Sequence, residues 1–308
     1  MTAVSYADIP PEIAKWLWEN YIALEFVSLV AGDGGIGKGY LIADLAARIT
    51  RGDLMPDGSR GPKAGSVLLI TPEDDTRKTM AWRLRAARAD IGKVYDLTGM
   101  VGNRFELPRD IHLLYEAVAD IGDVRMVVID PLAAVSSIGL TSGNAKLRKQ
   151  LMEPLEKLAA EAKVAVVINC HTVASGKIAG SVALVQAARL VLKVSRDRGD
   201  TRIRRIHLDK SNISDDEQPD VCYTLVKDQP AGYVAWLRDG ELSPATPELG
   251  PAQQKIMDLL SDADGDPMGP VEISDTTGIA CGVTRTELTK LKKKGLADNP
   301  QRGQWVAA

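Results

Sequence analysis

The stretch 26–39 (FVSLVAGDGGIGKG) restricts the fold more than any other part of the chain. An apolar run is interrupted by Gly32-Asp33-Gly34-Gly35-Ile36-Gly37-Lys38, and LIADLAARI then follows at helical spacing. This is G-x-x-x-x-G-K set between a strand and a helix, the arrangement of a phosphate-binding loop. Glycines let the backbone curl until successive N–H groups converge on phosphate oxygens. The helix presents its positive dipole end to the same point, and Lys38 reaches the terminal phosphates. The candidate nucleotide-binding residues are therefore Gly32, Asp33, Gly34, Gly35, Ile36, Gly37, Lys38, Gly39 and Tyr40. At 39 the motif wants a Ser or Thr hydroxyl for Mg²⁺, and Gly39 offers none; the phenol of Tyr40 is expected to pack instead. Two readings stay open: a water takes that place on the metal, or nucleotide binds with weakened hydrolysis.

Strand and helix signals keep alternating up to about residue 195, which predicts a mostly parallel sheet with helices on both faces. Strands are expected at 26–31, 66–70, 125–129, 164–169 and 189–194, each a nearly continuous apolar run, and helices at 38–50, 76–89, 109–120 and 144–162. From 202 to 237 the pattern changes to short alternating strands parted by turn-rich acidic stretches, the signature of antiparallel hairpins at a sheet edge. Pro, Gly and Glu in DGELSPATPELG break all periodicity and place a linker at 239–250. The expected organisation is an α/β domain at 1–238, that linker, and a small domain at 251–308.

Composition narrows the class. With 45% hydrophobic and 26% charged residues over 308 positions, disorder and fibre are excluded. No apolar stretch approaches the roughly 18 residues of a membrane span, and the amino terminus lacks the pattern of a secretory signal, so the expectation is a cytoplasmic protein with no membrane partner. Three scattered cysteines and three scattered histidines support neither a disulfide framework nor a zinc site.

Three further strand ends carry chemistry. VRMVVID delivers Asp130 where a carboxylate can hold Mg²⁺ beside the phosphates. Pro131 follows it, so the catalytic base must come from elsewhere. LLITPEDD offers Glu73 for orienting and deprotonating the attacking water, with Asp74 and Asp75 as caps of the next helix; the alternative is that all three acids only cap. VAVVINCHT ends in Asn169, His171 and Thr172, expected on one face, and His171 is either a sensor of the γ-phosphate or a hydrogen-bonded structural histidine. The segments 136–146 and 172–180, carrying Lys146 and Lys177, are long and polar enough to project from the core.

Beyond the linker, QQKIMDLLSDA, VEISDTTGI and TRTELTKLKKKG read as three helices, and GLADNPQRGQWVA as a hairpin: the element order of a winged helix. Positive charge gathers in its second half, at Arg285, Lys290, Lys292, Lys293, Lys294 and Arg302. DNA phosphates would be met there. The competing readings are a solvated helix end and a partner-docking face.

Together these residues resemble the RecA-like P-loop ATPases, most closely the group of RepA-type hexameric replicative helicases of plasmids and phages, from about Trp16 to Leu237. The quoted stretches look like that group's P-loop, its second strand with the catalytic glutamate, its Walker B strand and its histidine-bearing strand with a DNA-binding loop. IHLDKSNIS is similar to its late strand. The resemblance implies ATP and Mg²⁺ as cofactors, hydrolysis at subunit interfaces of a homo-oligomer, normally a hexamer, and single-stranded DNA in its channel, with duplex DNA a further partner for the winged helix. It also implies that Lys210 acts on a neighbour's γ-phosphate, although Asn212 replaces the arginine that would accompany it. The alternative is a non-translocating ATP-binding regulator or loader, with Lys210 an ordinary surface lysine.

Overall fold

The computed structural model describes residues 4–73, 75–97, 105–140, 142–173, 178–180, 182–215, 217–237, 250–263, 266–293, 296–301 and 303–307. The chain divides into two compact units, Met1–Asp197 with Thr201–Leu242, and Arg198–Asp200 with Ser243–Ala308.

The first unit opens with a short antiparallel pair, β1 (Trp16–Trp18) and β2 (Ile22–Ala23), followed by β3 (Val27–Gly32) and α1 (Lys38–Arg51). Then come β4 (Ser66–Ile70), α2 (Ala81–Ala86), β5 (Val94–Asp96), α3 (Ile111–Ile121), β6 (Val124–Ile129), α4 (Leu132–Val135), α5 (Asn144–Leu147), α6 (Glu153–Ala162) and β7 (Ala165–His171). Helix α7 (Val182–Ala187) leads to β8 (Leu190–Arg196), β9 (Ile203–Ser211), β10 (Val221–Val226) and β11 (Tyr233–Leu237). Nine strands form one sheet in the order β11-β10-β9-β8-β3-β7-β6-β4-β5, parallel from β8 to β5 and antiparallel from β8 to β11. This is the RecA-like α/β arrangement, a mostly parallel sheet flanked by helices.

The strands read as unbroken apolar runs because both of their faces are covered. Val30, Val67, Leu69, Met126, Val128 and Val167 pack with Leu41, Ile42, Leu45 and Ile49 of α1. The intervening Leu29, Leu68, Val127, Ile129, Val166 and Ile168 meet Leu114 and Val118 of α3 and Leu155 and Leu158 of α6. That is the two-residue side-chain period of a strand divided between two cores. Each fully buried Leu or Ile contributes about 1.5–3 kcal/mol over its exposed state, so the sheet can hold polar groups at its carboxyl edge without losing its frame.

The strand and helix expectations hold to within a few residues, with two local departures. The expected helix at 76–89 begins as a π-helical turn, Thr76–Met80, before α2, and that at 144–162 is α5 and α6 joined by a second such turn, Arg148–Met152. The β1–β2 pair and β5 escaped sequence reading because two or three residues are too few to show a period. Of the expected linker, all but Gly250 lies outside the described residues.

The second unit contains α8 (Pro251–Asp262), α9 (Pro270–Thr277), α10 (Cys281–Lys293) and the antiparallel pair β12 (Ala297–Gln301) and β13 (Gln304–Ala307), with Met268 bridged to Trp305. Ile256, Leu260, Ile273, Leu288, Leu291 and Ala297 form its core. No helix among the described residues is long and apolar enough to cross a membrane.

Candidate active site

Four neighbouring parallel strands, β4, β6, β7 and β3, deliver the chemistry at their carboxyl ends. Gly32 closes β3 and His171 closes β7, paired in register. Asp130 follows the last residue of β6, and Glu73 lies three residues beyond β4. Chain segments more than a hundred residues apart thus meet at one cavity of 220 Å³, lined by Gly35, Gly37, Lys38, Gly39, Tyr40, Glu73, Arg83, Asp130, Pro131 and His171. Ligand sites of open α/β sheets lie at this edge.

The loop itself is shaped by its glycines. Gly35 and Gly37 have φ of +71° and +108°, a region that side-chain-bearing residues rarely adopt, and a Cβ on Gly32 would come within 2.6 Å of the Val194 carbonyl. Lys38 begins α1 and is buried, with 6% of its surface exposed. Its ammonium donates to the carbonyls of Gly32 at 2.7 Å and Asp33 at 3.0 Å, which leaves a third N–H for a phosphate oxygen. Burial pulls its pKa below the ordinary lysine value, while Asp130, Cys170 and Asp33 pull it back up. A polyphosphate would add a directly bound anion to the field of these carboxylates. Burial also pushes the neighbouring Cys170 thiol up to about 12, so it stays protonated and serves as a small apolar core group.

Around the loop, Thr172 donates its hydroxyl to the Asp33 carboxylate. Asn169 is fully buried on β7, with neither amide nitrogen nor oxygen hydrogen-bonded among the described residues, and lies two residues from His171 on the same strand face. Thr172, expected on that face too, follows at the opposite alternation. Thr172 pairs with Ile178, and the Ala179 N–H donates to the His171 carbonyl at 2.7 Å, so the histidine stands at the base of the 172–180 segment. Asp75 caps the turn after Glu73 by accepting from the N–H groups of Arg77 and Lys78, and these bonds lower its pKa. Asp74 lies outside the described residues.

Two cations have surroundings that the sequence did not report. Lys210 commits its ammonium to the end of α7, where Nζ donates to the carbonyls of Val185, Gln186 and Ala188 at 2.8, 3.2 and 2.8 Å. Within the chain it is a helix cap, placed there because the last carbonyls of a helix lack intrahelical partners. Arg83, in turn, carries no signal in the sequence. It sits on α2, lines the cavity and places its guanidinium 4.8 Å from the centre of the Tyr40 ring. Nothing in its helix distinguishes it from Arg85, which stacks on Trp82 instead.

Tyr40 also borders a larger cavity of 880 Å³ with Arg196, Arg202, Arg204, Leu225, Lys227 and Pro230 among its walls. Of the residues expected to meet nucleic acid, Lys146 and Arg285 are exposed. Lys290 pairs with Glu287 at 2.6 Å, and Lys292 with Asp298 at 2.8 Å. The side chains of Lys177, Lys293, Lys294 and Arg302 lie outside the described residues.

A glycine loop at a helix start, a buried lysine within it, and two carboxylates at adjacent strand ends on a RecA-like sheet define a P-loop ATPase. The profile of the AAA domain family, AAA_25, matches residues 2–177, more than half of the chain, and the chain belongs to that family. The match takes in the loop, Glu73, Asp130 and His171, and ends before Lys210 and the second unit. No curated protein matches the chain.

Proposed function

We propose that the protein is an ATP-driven, ring-forming DNA motor, a replicative helicase-like ATPase of phage or plasmid type with hydrolysis at subunit interfaces. The observation that carries this reading is the gathering of Lys38, Glu73, Asp130 and His171 around one cavity, since a protein that only bound nucleotide would have no use for a carboxylate base. ATP lays its phosphates on the loop, with Lys38 on the terminal ones and the nucleoside passing Tyr40 into the larger cavity. Glu73 accepts a proton from the attacking water and holds it in line. His171 meets the γ-phosphate end and carries its loss into the 172–180 segment, which together with 136–146 would line a channel for single-stranded DNA.

The donor set fits Mg²⁺ in one respect: Asp130 supplies a hard carboxylate oxygen at the cavity wall, and Gly39 leaves the second protein ligand to water. Bound there, the metal would neutralise charge on the β- and γ-phosphates.

The second unit is best read as a winged helix, three helices followed by a hairpin with Met268 as a short third strand, in which α10 approaches duplex DNA. A runner-up is supported by Gly39 and by the capping role of Lys210: a non-translocating loader or regulator that uses ATP for assembly. ATP turnover with and without single-stranded DNA, measured beside mass in solution with and without nucleotide, separates the two. DNA-stimulated turnover by a nucleotide-stabilised hexamer is the expected result; slow turnover indifferent to DNA supports the loader.

A further inference from the structure

Arg204 is a buried cation among the walls of the larger cavity, and the mechanism above gives it no role in the chemistry. It stands on β9 with 8% of its surface exposed, and among the described residues it has no carboxylate partner. Its Nε donates to the Ile36 carbonyl at 3.0 Å, inside the phosphate loop. Its Nη1 donates to the carbonyls of Thr201 and Arg202 at 2.9 and 2.6 Å, in the turn between β8 and β9. Burying a guanidinium against carbonyls alone is costly, since no full negative charge offsets its lost hydration. Burial and the nearby Arg196 accordingly pull its pKa down.

The atom it holds explains the arrangement. A trans peptide is planar, so the Ile36 carbonyl and the Gly37 N–H point in opposite directions. Gly37 has φ of +108° and no Cβ, and a glycine on one side of a peptide makes the flip of that peptide cheap. A flip would turn the carbonyl dipole toward the phosphates and the N–H away. The Gly37 N–H donates to nothing among the described residues, as expected of a group kept for a ligand. We infer that Arg204 is a positioning residue for the phosphate loop: by holding the Ile36 carbonyl from behind, it locks the 36–37 peptide with the Gly37 N–H facing the phosphates. The cation also polarises that peptide, strengthening the N–H as a donor. The inference rests on the reading that this loop carries the nucleotide phosphates.

The test compares the full-length parent with Arg204→Met, Arg204→Lys and Arg204→Ala, reading ATP and ADP affinity, turnover and nucleotide-free melting, with Lys38→Ala as control. Arg204→Met is expected to weaken both nucleotides by about 10- to 100-fold, the range of one lost charge-assisted hydrogen bond, while the nucleotide-free protein still melts in one cooperative transition. Arg204→Lys should recover part of the affinity. Added guanidinium at low millimolar concentration should restore binding to Arg204→Ala and do nothing for Lys38→Ala, a difference that a purely structural role would not produce. ATP affinity within twofold of the parent in Arg204→Met overturns the inference. So does loss of fold in all three variants, which would make Arg204 a framework residue. A parent that binds no ATP, or binds it as well after Lys38→Ala, sinks the ATPase reading instead.

Discussion

Lysines at the two ends of the chain are held in opposite ways. Lys38 is buried beneath a loop whose partners arrive from four strands, and its ammonium is fixed by two backbone carbonyls. Lys290 and Lys292 of α10 leave about half of their side chains in solvent and pair with acids three and six residues away. In the first place a charge acts at low dielectric on a group that cannot move away, so a single substitution should cost orders of magnitude. In the second, water and salt screen each charge, its pair is worth little, and any contact with DNA adds in small equal steps.

The sharpest break of this comparison is Lys38→Ala. Steady-state turnover should vanish and ATP binding should weaken severely, with melting near that of the parent; unchanged turnover would remove the phosphate loop from the chemistry. Glu73→Gln comes next. Nucleotide affinity should survive while turnover falls by about 10²-fold or more, because shape is kept and the base is lost. Turnover close to the parent's would return Glu73 to the capping role that Asp75 already fills.

Lys210→Ala tests a residue between the two extremes. Loss of the cap on α7 should lower stability by about 1–3 kcal/mol in denaturant titration. If Lys210 also serves a neighbour's site, mixing this variant with Glu73→Gln protein should regain part of the turnover. Such an interface pairs an intact Glu73 with an intact Lys210. No gain despite demonstrated subunit exchange leaves only the cap. The smallest effect belongs to Lys292→Ala: if α10 meets duplex DNA as proposed, this variant should weaken duplex binding by a few-fold and reduce the slope of log affinity against log salt by about one. An unchanged slope would move DNA away from α10 and favour a protein partner there.

Much of the first unit was legible because its signals are local. Strand, glycine loop and helix follow one another without a break between Phe26 and Arg51, and Asp130, Glu73 and His171 each announce themselves as polar residues ending an apolar run. The alternation of strand and helix then left a mostly parallel sheet as the one economical arrangement. Arg83, Arg204 and the partners of Lys210 within the chain had no such signal. Arg83 differs from Arg85 only by lying beneath Tyr40, and Arg204 meets Ile36 from 168 residues away. For Lys210 the resemblance implies a role at a neighbour's site, with an ordinary surface lysine as the alternative, and neither reading points to the end of α7, past which β9 carries it.

By itself, then, the sequence determined the sheet, the loop and the strand ends that carry polar groups, because backbone conformation and side-chain period are properties of neighbouring residues. Only the tertiary structure decided which cations face the phosphate cavity, which hold the loop from behind and which close a helix. Those roles depend on where an unsatisfied carbonyl or an aromatic face arrives from a distant strand, and hydrogen bonding is a short-range force that no spacing along the chain reports.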